Sequence, residues 1–268
     1  VGEYVLDNTD FLLRLLPEIE FVSRVSELTC RLASAGYPLA TPALRPMTEH
    51  AFHAEGLYNP DVALRIAEEI VANDVVFDEK ARLYVLTGPN RGGKSVITCA
   101  MGLALAMAML GMRVPAKELA LSPVDAIFTH FPTGADDTID KGRLGEECAR
   151  LGEIFDSISA HSLVLLDESL SSTGSFEASY IAAEVLAGLS RVGCRCIFST
   201  HLHELGAEVP EINRRSALEG GVAVATLVAG IEEGRRSFHN HRKKPDGKSY
   251  ACDIAERYGL SLERLRKK

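Results

Sequence analysis

Several signatures are missing from this 268-residue chain, and each absence removes a class of function. There is no basic excess: 37 Asp and Glu against 29 Lys and Arg leave a formal net charge of −8. That balance gives no whole-chain electrostatic footprint for nucleic acid. One local basic patch exists, made by Arg235, Arg236, Arg242, Lys243, Lys244 and Lys248, and it is expected to be a solvated loop rather than a DNA contact. The six cysteines contain no CxxC pair and no His/Cys grouping with zinc spacing. The longest apolar stretch, around Cys99–Leu110, is too short to span a bilayer. No basic-then-apolar leader opens the chain, and no internal repeat or low-complexity run interrupts it. What is present is an ordinary globular composition, 46% hydrophobic, long enough to bury a substantial core. Buried, reduced thiols in a cytoplasmic protein are the expectation, with Cys194 and Cys196 on one face of a strand.

The pattern along the chain predicts an α/β fold. Phe11, Leu12, Leu15, Leu16, Ile19, Val22, Val25, Leu28 and Leu32 recur at helical spacing, which predicts a helix from Asp10 to about Ala35. Asn8 or Thr9 is its expected cap, and Gly36 with Pro38 its stop. Residues 38–60 carry four prolines and read as an extended connection, followed by a short helix or irregular lead-in over 60–73. From residue 81 short apolar runs alternate with helical patterns. Leu83–Leu86, Leu163–Leu166 and Arg195–Ser199 read as buried strands, with further strands near 126–131 and 221–228. Helices are expected from Lys94, over 146–159 and over 176–189. Such alternation predicts a mainly parallel central sheet flanked by helices, with a short N-terminal helical segment attached.

The chemistry falls at the ends of those strands. Gly88-Pro89-Asn90-Arg91-Gly92-Gly93-Lys94-Ser95 matches GxxxxGKS between a strand and a helix. Glycines there permit backbone angles and close approach that a side chain would block. Loop amides and the helix N-terminus can then cradle phosphate oxygens. Lys94 is expected to reach the β- and γ-phosphates, Ser95 to take one Mg²⁺ position, and Val96 to complete the binding set. Asp167, after the second strand, is the expected second Mg²⁺ residue, and Glu168 the carboxylate that orients and polarises water. His201, after the third strand, is a candidate γ-phosphate sensor. The expected cofactors are therefore ATP and Mg²⁺. An Asp-Glu pair favours hydrolysis over transfer to a second substrate.

With these residues in view, the chain resembles the ATPase domain of the MutS family of DNA mismatch-repair proteins. Thr87–Ser95 resembles the family's TGPNxGGKS. Val114-Pro115-Ala116 and Asp125–Thr129 resemble VPA…D.IFTR, and Leu165–Glu168 resembles LLDE. Ser199–Leu205 resembles ATHxxEL, Lys248–Tyr250 with Ile254-Ala255 and Gly259-Leu260 resembles SYG…VA…GL, and Ala72-Asn73-Asp74 sits at the (V/A)N(D/P) lead-in. The resemblance implies a P-loop NTPase of the ABC-like branch that works as a homodimer. It implies that Asn90 helps position the γ-phosphate and that Ile70 and Val71 contact adenine, with a second adenine contact from the region of His239–His241. The family is often aromatic where this chain has Ile70. The family's LGRGTST is replaced by Ser169–Ser175, and its SGRST by Lys141–Glu146, which keeps Gly142-Arg143 but loses the hydroxyls. Arg143 remains a candidate to charge a partner's phosphates.

The implied organisation is a helix and connector over residues 1–59, at the end of a lever, and the ATPase domain over 60–268. Val1 in place of Met is read as a fragment of a longer protein, with DNA contacts outside these residues and a cytoplasmic, nucleoid-associated location without membrane contact. The expected function is Mg²⁺-dependent ATP hydrolysis that couples nucleotide state to clamp motion on DNA. The alternatives are a nucleotide-dependent dimerisation scaffold with little turnover, or an unrelated ABC-type P-loop ATPase.

Overall fold

The computed structural model describes residues 2–66, 70–78, 81–89, 92–131, 143–170, 174–232 and 235–242. The fold is α/β and is built on two sheets. The larger has the strands β4 (Leu83–Thr87), β6 (Ile127–His130), β7 (Leu163–Asp167), β8 (Arg195–Ser199), β9 (Val224–Glu232) and β10 (Arg235–Arg242), in the order β10-β9-β4-β8-β7-β6. All neighbours are parallel except the hairpin β9–β10. A parallel sheet must be covered on both faces, so its strands are apolar throughout. β4, β7 and β8 accordingly bury all of their residues.

Alternation along those strands feeds two cores. Tyr84, Leu86, Leu163, Leu165 and Ile197 face one, with the apolar helix α3 (Lys94–Met109). Leu83, Val85, Val164, Leu166, Cys196 and Phe198 face the other, packed by α4 (Arg143–Ser157), α5 (Ser175–Val192) and α6 (His203–Leu218). Cys194 and Cys196 both enter this second core as expected, and burial pushes the Cys194 thiol up to about 12.

The smaller sheet, in the order β1-β5-β2-β3, joins β1 (Ala43–Leu44), β2 (Phe52–Leu57), β3 (Asn73–Phe77) and β5 (Glu118–Leu121). Phe52, Ala54, Val75, Phe77, Leu119 and Leu121 pack into the α3 core. α3 touches the large sheet and β2, which explains why it is apolar all round. The two sheets are tied by Arg195, 1% exposed. Its Nη1 donates to Ala51 O at 2.9 Å and Ser122 O at 3.0 Å, and its Nη2 to Pro123 O at 3.0 Å. Burial lowers this guanidinium to about 10.

Residues 38–60, expected as a connection, contain β1 and β2, because their short alternation pairs with β5, far along the chain. The helix expected from Asp10 starts at Gly2: Asn8 and Thr9 permit a cap but do not force one. On this α1 (Gly2–Ser34), Leu32 is fully buried, whereas Phe11, Leu12, Leu16 and Ile19 are more than half exposed. The lead-in forms α2 (Pro60–Arg65), whose first turn is capped by Asn59 Oδ1, which accepts from Asp61 N at 3.0 Å and Val62 N at 3.2 Å. The basic patch expected as a loop is in part strand β10, where Arg242 lies 3.7 Å from Asp78 and over the Tyr84 ring. Among the described residues no helix is long and apolar enough to cross a membrane.

Candidate functional site

β4 ends at Thr87 and the chain turns sharply into α3. Gly88 has φ +146, and a Cβ there would sit 2.6 Å from Ala229 Cβ. A Cβ on Gly92 would meet Pro89 O at 2.8 Å. Both positions need glycine for close packing, as the loop pattern predicts. Gly93, at φ +84, leads directly into Lys94. Lys94 is buried, and its Nζ donates to Gly88 O and Pro89 O at 3.3 Å each. The loop thus folds around the lysine, which holds the ammonium at the mouth of the turn.

Beside it lies a cavity of about 430 Å³. Gly92, Gly93, Lys94, Ser95 and Val96 line one part. Val62, Ile66, Ile70 and Val71 supply an aliphatic part, and Glu168 lies at its edge. Phe238, from β10, completes the lining, with its Cδ1 3.3 Å from where a Gly93 Cβ would be. Eight sequence-expected residues therefore share one cavity: Ile70, Val71, Gly92, Gly93, Lys94, Ser95, Val96 and Glu168. Asn90 and Arg91 lie outside the described residues, as do Lys141 and Gly142 and the side chain of Arg143.

The parallel neighbours β7 and β8 bring the acidic and histidine segments to the same edge, with Asp167 opposite Ser199. Asp167 is 4% exposed, and its Oδ1 has no hydrogen-bond partner among the described residues. Glu168 Oε1 is 3.5 Å from Lys94 Nζ, and its Oε2 is 2.6 Å from His201 Nδ1. That hydrogen bond to His201 lowers the Glu168 carboxyl below its ordinary 4.5 and raises the imidazole above its ordinary 6.5. The carboxylate is therefore ionised at neutral pH and of low basicity, which suits orientation of a water more than strong deprotonation.

The residues fit a bound Mg²⁺–phosphate group. A buried, unpartnered carboxylate oxygen on Asp167, a hydroxyl on Ser95 and a glycine cradle with no room for side chains are the donor set such a group needs. Among the described residues no cluster of three or more His, Cys, Asp or Glu side chains could hold a metal alone. Phosphate oxygens and water would have to complete the shell, as is usual for Mg²⁺.

Sequence reasoning missed Phe238, Asn59 and the cavity-facing stretch of α2. His239 and His241, expected near the base, do not line the cavity; their neighbour Phe238 does. Phe238 has φ +58 and sits in a register shift of β10 between Arg236 and Asn240. Asn73 fixes it there: its Nδ2 donates to Phe238 O at 3.1 Å, and its Oδ1 accepts from Asn240 N at 2.7 Å. The aromatic residue ahead of two histidines was the one available signal.

Comparison with known proteins gives the family. Residues 84–263 match MutS domain V. Two curated relatives, each named DNA mismatch repair protein MutS and from two strains of Chloroflexus aurantiacus, are 31% identical over 264 residues, covering 95% of this chain. The chain spans 26% of the length of those relatives. The domain match takes in nearly all of β4, the cavity-lining Lys94 and Glu168, and Asp167 and His201 beside them, and the chain belongs to the MutS family.

Proposed function

We propose that this chain is the ATPase module of a MutS-like DNA repair protein, with a P-loop NTPase fold of the ABC-like kind, and that it binds and hydrolyses Mg²⁺-ATP in the cavity beside Lys94. The observation that carries this reading is the placement of Lys94. It is a buried ammonium held by two loop carbonyls, 3.5 Å from an ionised glutamate, at the edge of an apolar cavity that can take a base.

Each residue has a part. Loop amides of 88–95 and the start of α3 would hold phosphate oxygens. Lys94 would neutralise their charge. Ser95 and Asp167 would hold Mg²⁺, which when bound offsets charge on the leaving phosphate. Glu168 would orient and polarise the attacking water. His201, hydrogen-bonded to Glu168, would fix that carboxylate and report on the γ-phosphate. Ile70, Val71 and Phe238 would enclose the adenine. A homodimer through this domain, DNA contacts by parts of the parent protein outside these residues, and a cytoplasmic, nucleoid-associated location without membrane contact follow from the family reading. So does the coupling of nucleotide state to clamp motion.

The test is steady-state ATP hydrolysis by the full-length protein, with and without DNA. The reading expects Mg²⁺-dependent turnover that falls at least about 100-fold in Glu168→Gln. ATP binding with no turnover above that variant would instead indicate a nucleotide-dependent dimerisation module.

A further inference from the structure

Glu168 sits on a strained turn. Glu168 has φ +51 and Leu170 φ +65, so two non-glycine residues in the left-handed region flank Ser169. Such backbone costs on the order of 1 kcal/mol or more per residue and persists only where neighbours over-determine it. Here each residue of the turn is held by a different element. The Glu168 N–H donates to Ser199 O on β8 at 2.8 Å. The Leu170 N–H donates to Glu147 Oε2 on α4 at 2.6 Å. Ser169, between them, is held by its side chain. Its Oγ lies 2.7 Å from His130 Nδ1 at the end of β6 and 3.4 Å from His130 O. Both residues are buried, at 3% and 7% exposure.

A second observation concerns the same pair. The family segment D.IFTR has Arg at the position of His130, and LGRGTST has Leu at the position of Ser169. Two departures, 39 residues apart in sequence, are one hydrogen-bonded contact in the fold. Each makes sense given the other: a buried serine hydroxyl needs a partner, and an imidazole at the end of β6 provides one.

We propose that His130 and Ser169 form a positioning pair for hydrolysis that locks the turn carrying Glu168. It deepens the ATPase reading and rests on it. Neither residue lines the cavity beside Lys94. The pair acts by fixing the backbone from which the Glu168 carboxylate reaches His201 and Lys94. Because Nδ1 is the engaged nitrogen, asparagine at position 130 keeps a hydrogen-bonding atom near that place, and leucine does not.

The experiment uses the full-length protein and two measurements. The first is amide hydrogen exchange over residues 163–170 without nucleotide. The second is kcat and KM for Mg²⁺-ATP. Ser169→Ala and His130→Leu are expected to speed exchange at 169–170 about tenfold and to lower kcat about tenfold, with KM within about twofold. His130→Asn is expected to restore kcat to within about threefold of wild type. Unchanged exchange in Ser169→Ala overturns the pair, whatever the turnover. So does faster exchange with kcat unmoved, or an asparagine variant no better than leucine. Equal turnover of wild type and Glu168→Gln sinks the ATPase reading instead, and the kinetic half of this proposal with it.

Discussion

His201 Nδ1 lies 2.6 Å from Glu168 Oε2, so the two residues at the ends of adjacent parallel strands titrate as partners. Glu168 is lowered from 4.5 and His201 raised from 6.5, each chiefly by their mutual hydrogen bond. The raised His201 contributes stability that is present below 6.5 and lost as pH climbs through its folded value. The lowered Glu168 contributes stability that is present above 4.5 and lost as pH falls through its folded value. The charged pair is therefore intact between those two folded values. An NMR titration of the His201 ring should show a midpoint above 6.5 that moves back toward 6.5 in Glu168→Gln. An unmoved midpoint would show that the contact does not set the histidine's charge.

Lys94 anchors the loop and faces the cavity, so its removal strikes the ligand more than the fold. Lys94→Ala should weaken ATP binding at least about tenfold, the scale of one lost charge-assisted hydrogen bond. Isothermal calorimetry reads this directly, and undiminished affinity would refute the phosphate-loop assignment.

Phe238 supplies the aromatic surface that Ile70 does not. Phe238→Ala should weaken ATP binding about tenfold, the scale of one stacked base, and leave kcat nearly unchanged at saturating ATP. Asn73→Ala should shift affinity in the same direction, because Asn73 holds the Phe238 carbonyl and the Asn240 amide. Titration with a fluorescent ATP analogue would measure both, and an equal affinity in Phe238→Ala would remove it from the base site.

Arg195 donates to three backbone carbonyls, and among the described residues no carboxylate forms an ion pair with it. Arg195→Met keeps much of the volume but leaves those acceptors bare. A loss of about 3 kcal/mol in unfolding free energy is expected. Urea denaturation decides it: a change under about 0.5 kcal/mol would mean that the tie between the sheets is not a stabilising one.

Legibility followed burial. β4, β7 and β8 could be read from sequence because a strand buried on both faces is an unbroken apolar run. The glycine turn after β4 was readable for the same reason, as an interruption with no other explanation. β2 and β3 were hidden, since their partners are each other and the distant β5, and their half-exposed alternation is short. β10 was hidden by its charges, which suggest a loop, while its hydrogen bonds come from β9. α6 contains Pro210 and many polar residues, which weaken its helical pattern. At the site, Lys94, Asp167, Glu168 and His201 stood out because each ends or follows a readable element. Phe238 did not, because its entry into the cavity depends on a register shift and on an asparagine 165 residues away. The His130–Ser169 contact was equally invisible: Ser169 registered only as the start of a deviating segment and His130 not at all, and nothing in one dimension joins them.

The tie made by Arg195 has a mechanical consequence. β8 begins at this arginine and ends at Ser199, just before Thr200 and His201. Five extended residues reach roughly 17 Å. One end of that rod is pinned to the carbonyls beside β2 and β5, and the other carries the histidine that grips Glu168. The sheet that contains β2 and β5 also contains β3, whose Asn73 sets the aromatic side of the cavity. The base end and the phosphate end of the pocket are thus gauged from a common fixed point.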